Sequence, residues 1–135
     1  MKLAAIMLGA TLLLSLACGG AAPATVQVAL TEWTVTPNPV SVSAGAVTFD
    51  AQNVGALAHE LVIIKTDRAP DALIVEGTKV DEAASGQTIG EIEEDELAPG
   101  QSASAVFNLT AGQYVLFCNI DGHYQSGMRA ALAVQ

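Results

Sequence analysis

From Val26 to the C-terminus, apolar and polar side chains alternate over short runs that turn-forming residues cut apart. Ala103, Ala105, Phe107 and Leu109 share one parity. So do Tyr114, Leu116 and Cys118, then Ala130, Leu132 and Val134, and also His59, Leu61 and Ile63. A period of two marks a strand with one buried face, because successive side chains of an extended chain leave on opposite sides. Pro37-Asn38-Pro39, Ala44-Gly45, Ala98-Pro99-Gly100 and Ala111-Gly112 supply breaks. Strands are therefore predicted over 26–35, 40–43, 46–52, 59–66, 102–109, 113–119 and 129–134, a pattern that folds as an all-β sandwich. In that frame Cys118 and His59 continue core-facing rows and emerge at one end of the sandwich. The stretch 67–97 breaks the pattern: Pro70, Gly77, Gly86 and Gly90 interrupt mixed periodicity before the acidic run Glu91 to Glu96. It reads as one long irregular excursion with a helical turn after Pro70.

A chain of 135 residues with 51% hydrophobic content holds one domain with an ample core. Part of that apolar content is a leader. Lys2 precedes an apolar run from Leu3 to Leu14, then Ser15-Leu16-Ala17-Cys18. The run is shorter than the ~20 residues a membrane span needs, so 1–17 reads as a cleaved export signal. The tetrapeptide resembles a bacterial lipobox, with Ser15 where that signal favours leucine. Cys18 is then a lipidation site, 18–25 a flexible tether and 26–135 the domain. An ordinary cut near Ala22 or Ala24 is the alternative. Both place the domain outside the cytoplasm: the first anchors it on the periplasmic or outer face of a bacterial membrane, the second releases it as a soluble periplasmic protein.

Exported domains usually pair their thiols, and the only cysteines are Cys18 and Cys118. With Cys18 lipidated or removed, Cys118 is a lone thiol in an oxidising compartment, where a metal or deep burial must protect it. The alternative, a Cys18–Cys118 disulfide, would tie a flexible leader to the far end of the domain. The formal charge is −9, and loss of Lys2 leaves four basic residues against fourteen acidic. Such a surface repels nucleic acid and suits a basic protein partner.

Cys118, His123 and Met128 stand with four residues between each pair, in Cys118-Asn-Ile-Asp-Gly-His123-Tyr-Gln-Ser-Gly-Met128. Thiolate, imidazole and thioether together select copper, and cysteine with a distant methionine is a blue-copper ligand set. A second histidine is needed, and His59 is the only one left. Each residue alone has an ordinary reading: Cys118 as buried filler, His59 as a hydrogen-bonded core histidine, His123 as a loop residue, Met128 as the first core residue of the last strand. Two histidines and a cysteine also match a tetrahedral zinc set, although methionine is a poor zinc ligand.

The Cys118 to Met128 loop, the upstream His59-Glu60-Leu-Val-Ile-Ile and the approach strand Gly112-Gln-Tyr-Val-Leu-Phe-Cys118 resemble the cupredoxins, the type 1 blue-copper proteins. The four-and-four spacing is most similar to auracyanin and rusticyanin; plastocyanin and azurin have shorter loops. The likeness covers 26–135. It implies a Greek-key β-sandwich and one type 1 copper, with His59 and His123 as imidazole ligands, Cys118 as thiolate and Met128 as weak axial ligand. An approach of the Ala58 carbonyl to the metal is a further implication. Many cupredoxins carry asparagine after the first histidine, where this chain has Glu60; either Asn119 donates to its carboxylate and the charge lowers the reduction potential, or Glu60 is simply solvated.

The resemblance implies a small electron carrier, monomeric and without catalysis, whose electron port is His123 within an apolar patch of Ala56, Leu57, Ile120 and Tyr124. Its partners would be redox proteins such as a basic cytochrome or oxidase domain; the run Glu91 to Glu96 either steers them or is a solvated charged loop that only aids solubility. A copper storage or delivery module is the alternative, but such proteins use methionine-rich or multi-histidine clusters, and Met128 is the one methionine outside the leader. A multicopper enzyme needs further histidines that this chain lacks.

Overall fold

The computed structural model describes residues 23–135. The leader, Cys18 and all of the tether but its last residues lie outside the described residues. Two sheets face each other. The first holds β1 (Ala24–Thr31), β2 (Thr34–Asn38), β4 (Gly45–Asn53) and β9 (Ser102–Leu109) in the order β2-β1-β4-β9. The second holds β3 (Ser41–Val42), β5 (Leu61–Lys65), β8 (Gln87–Ile92), β10 (Gly112–Phe117) and β11 (Arg129–Val134) in the order β3-β11-β10-β5-β8. Both sheets are mixed, since β1 runs parallel to β4 and β3 parallel to β11. Many neighbours are distant in sequence, as the crossovers of a Greek-key sandwich require.

Alternation builds the core. Val47, Phe49 and Ala51 of β4 point inward between Thr48, Asp50 and Gln52. Val26, Val28 and Leu30 of the neighbouring β1 extend that face, and Leu61, Ile63, Tyr114, Leu116, Leu132 and Val134 oppose it from the second sheet. The predicted strand over 26–35 is two strands joined by a tight turn at Glu32-Trp33, with Thr31 opposite Thr34. Parity explains the difference: the buried set runs Val26, Val28, Leu30 and then Val35, so the phase slips across the turn.

β5 and β10 are buried on both faces, so their sequences Leu-Val-Ile-Ile-Lys and Tyr-Val-Leu-Phe read as continuous apolar runs. Their outer side chains, Val62, Ile64, Val115 and Phe117, pack with Leu73, Val80 and Tyr124. Fully burying each such side chain stabilises by about 1.5–3 kcal/mol, which is why the 67–97 excursion must fold back over the sheet. It is also more regular than the sequence suggests. It carries a short hairpin of β6 (Val75–Glu76) and β7 (Lys79–Val80), a helical turn α1 (Glu82–Ser85) and β8, which pairs with β5. Pro70 starts only a single turn, closed by Ala72 N–H to the Ala69 carbonyl at 2.9 Å; the helical turn forms at Glu82 instead, where Asp81 caps it. Gly90 lets β8 approach β9, because a side chain there would run into the Phe107 ring.

Candidate metal centre

Phe117 stands opposite Val62 on one side and Arg129 on the other. Residues just before β5, just after β10 and just before β11 therefore meet at one end of the sandwich. His59 lies two residues ahead of β5, Cys118 directly after β10 and Met128 directly before β11, while His123 opens a helical turn, α2 (His123–Ser126). His59 N–H donates to the Leu97 carbonyl, which pulls it out of the ladder and ends β5 at Leu61. Cys118 N–H donates to the Met128 carbonyl at 3.1 Å and extends the β10–β11 register by one pair. Residues paired in this way present their side chains on one face, and both belong to the core.

His59 Nδ1 lies 3.4 Å from His123 Nδ1, which is 3.3 Å from Cys118 Sγ. The donor atoms of these three buried residues all fall within 4.8 Å of one another. Cys118, His59 and Met128 are fully buried and His123 is nearly so. Cys118 is a free thiol that also accepts the Glu60 amide N–H at 3.5 Å. Burial pushes it up to about 11 and pushes both imidazoles below the ordinary histidine value, His59 against the pull of Glu32. Two neutral nitrogens and a soft sulfur, converging in a water-excluded pocket, form a donor set that fits copper.

Around these side chains the loops are pinned. Asn53 donates to the carbonyls of Leu57 and Leu97, both at 2.7 Å, and accepts Gly55 N–H, so the chain ahead of His59 has one path. Glu60 does meet Asn119, through the backbone N–H of Asn119 at 2.9 Å. The Asn119 side chain turns instead to Val80 and Glu82, tying the ligand loop to the excursion. Tyr124 is buried rather than part of a surface patch, because its ring packs on Phe117 and its hydroxyl is held by Pro70 and Leu73. Ile120 is half-buried against the core; Ala56 and Leu57 are exposed.

Two neighbours escape sequence reading, Glu32 and Trp33 at the β1–β2 turn. Glu32 Oε1 lies 3.1 Å from His59 Nε2. Its carboxyl is held down to about 2, chiefly by the Leu57 amide. Trp33 lies edge-on to the His123 ring with centroids 5.1 Å apart, and keeps 41% of its surface exposed. The parity slip between Leu30 and Val35 is the signal that could have placed a turn there.

The model of the sulfocyanin (SoxE) domain family matches residues 6–135. No curated protein sequence matches the chain. Among solved structures, the chain is similar to dithionite-reduced auracyanin from Roseiflexus castenholzii, with a TM-score of 0.62 and 24% identity over 84% of this chain and 98% of that one. Auracyanin A, a blue copper protein from Chloroflexus aurantiacus, aligns with a TM-score of 0.57 and 22% identity over 84% and 100%. An azurin from Methylomonas sp. strain J aligns with a TM-score of 0.55 and 17% identity over 84% and 99%. These likenesses establish the cupredoxin sandwich, and the family match with the buried His-Cys-His cluster establishes one type 1 copper as cofactor. The chain thus belongs to the sulfocyanin family, within the cupredoxins.

Proposed function

We propose that this protein is an exported carrier of single electrons, without catalytic activity, that cycles one copper between its cupric and cuprous states. His59 Nδ1, Cys118 Sγ and His123 Nδ1 are the main ligands and Met128 the weak fourth. The convergence of the three donor atoms inside the core carries this reading. When bound, copper supplies the one-electron couple. The protein excludes water and fixes the donors through Cys118 N–H to Met128 O, Met128 N–H to His123 O and His59 N–H to Leu97 O.

Electrons pass through the His123 edge and the exposed Trp33 ring above it, with Leu57 and Ala56 completing a small apolar face suited to brief encounters. The acidic run lies close by, since Ala58, Glu93, Glu94, Asp95 and Ala98 line one open groove. That placement supports steering of a basic cytochrome or oxidase domain. The leader and Cys18 support export and lipid anchoring; no helix of the described residues is long and apolar enough to cross a membrane.

Optical and paramagnetic-resonance spectra of the copper-loaded protein test the reading. An intense orange-red absorption band with a reversible one-electron couple is expected, and Cys118→Ser should abolish the band. A colourless, readily chelated cuprous site would mean copper delivery instead.

A further inference from the structure

The turn between β1 and β2 seats one carboxylate beneath the loop that leads to His59. Glu32 Oε1 accepts Leu57 N–H at 2.8 Å and Ala56 N–H at 3.0 Å, and Oε2 accepts the latter at 3.2 Å. The remaining partner of Oε1 is His59 Nε2 at 3.1 Å. Gly55 makes room for this arrangement, because a Cβ there would stand 2.5–2.9 Å from the carboxylate atoms. The Glu32 side chain keeps 24% of its surface exposed, whereas His59 has none.

An ionised carboxylate only accepts hydrogen bonds, so the proton of the neutral His59 ring must sit on Nε2. The lone pair then lies on Nδ1, the nitrogen that faces His123 and Cys118. We propose that Glu32 is a positioning residue of the copper centre: it locks the His59 ring and its tautomer, and its negative charge biases the site toward the cupric ion. The inference rests on the copper reading above. Its physical basis is that a carboxylate bonded to the far nitrogen of a ligand imidazole makes that ligand more basic, which favours the more highly charged ion. A carboxylate that merely clasped the amides of Ala56 and Leu57 would support the loop without distinguishing the two oxidation states.

The test uses the copper-loaded protein and three variants. Glu32→Gln keeps the shape and removes the charge. Gly55→Ala keeps the charge and displaces the carboxylate. Asp50→Asn removes one charge from the exposed side of β4, where Asp50 pairs with Gln27 and Ser104. Cupric affinity should fall ~10–100-fold in the first two and cuprous affinity much less. The reduction potential should then rise by ~59 mV for each tenfold of difference, with Asp50→Asn unchanged. Equal loss of both affinities, with the potential unmoved, would reduce Glu32 to a clasp and overturn the proposal. Should the variants not fold, nitrogen-15 spectra of the unaltered metal-free protein decide: a protonated, hydrogen-bonded His59 Nε2 is required, and a proton on Nδ1 instead would overturn the proposal. Absence of the blue band in copper-loaded parent protein would sink the carrier reading, while the metal-free spectra would still decide the Glu32–His59 bond.

Discussion

At Cys118, burial and metal chemistry oppose each other. Burial pushes the thiol up to about 11, yet only the thiolate binds the ion, so loading must expel a proton. Copper affinity should therefore rise about tenfold per pH unit across the neutral range. Calorimetry in buffers of different ionisation heat should read release of one proton per copper, and Cys118→Ser should remove that release. The histidines add nothing at neutral pH, because burial already keeps both rings neutral. Spacing singles out Cys118 and His123 and elimination adds His59, and the structure brings the donor atoms of these three together. Glu32 and Trp33 were not legible, because their role arises from a turn that brings residues 27 positions apart into contact, as Glu32 and His59 are.

The ligand loop and the excursion act as one unit. The Tyr124 hydroxyl donates to the Pro70 carbonyl at 2.7 Å and accepts Leu73 N–H at 3.0 Å, while Gly122 N–H reaches the Thr78 carbonyl. Tyr124→Phe would strand a buried amide, so stability should drop by about 1–3 kcal/mol in urea unfolding, with the blue band unchanged. A shifted band would mean that the excursion shapes the metal site as well as supporting it. Strands β9 and β11 were legible to the residue because one face of each alternates cleanly against the core. β8 was not, since Gln87, Thr88, Gly90 and Glu91 leave only Ile89 and Ile92 as apolar signals. Its place is fixed by pairing with β5, a constraint that local sequence does not carry.

Taken whole, the molecule is polarised. The ligands, the exposed Trp33 and the acidic groove gather at one end of the sandwich, and the formal charge is −9. Neutralising Glu93, Glu94 and Glu96 together should slow electron transfer to a basic partner at low salt and flatten its dependence on ionic strength. Stopped-flow rates across a salt series read both effects; unchanged rates would remove this segment from the encounter. Sequence conveyed the charge and the fold class, but not that the acidic segment folds back beside Ala58.

Sheathing β5 and β10 on both faces bears on how little the protein has to rearrange when an electron arrives. His59 and Cys118 flank the two strands enclosed on both faces, and the loop between β10 and β11 adds His123 and Met128, so packed walls rather than a bound ion would set the shape of the cavity. An ion gripped by such walls would gain or shed charge with little disturbance of its surroundings, the condition under which transfer is quick.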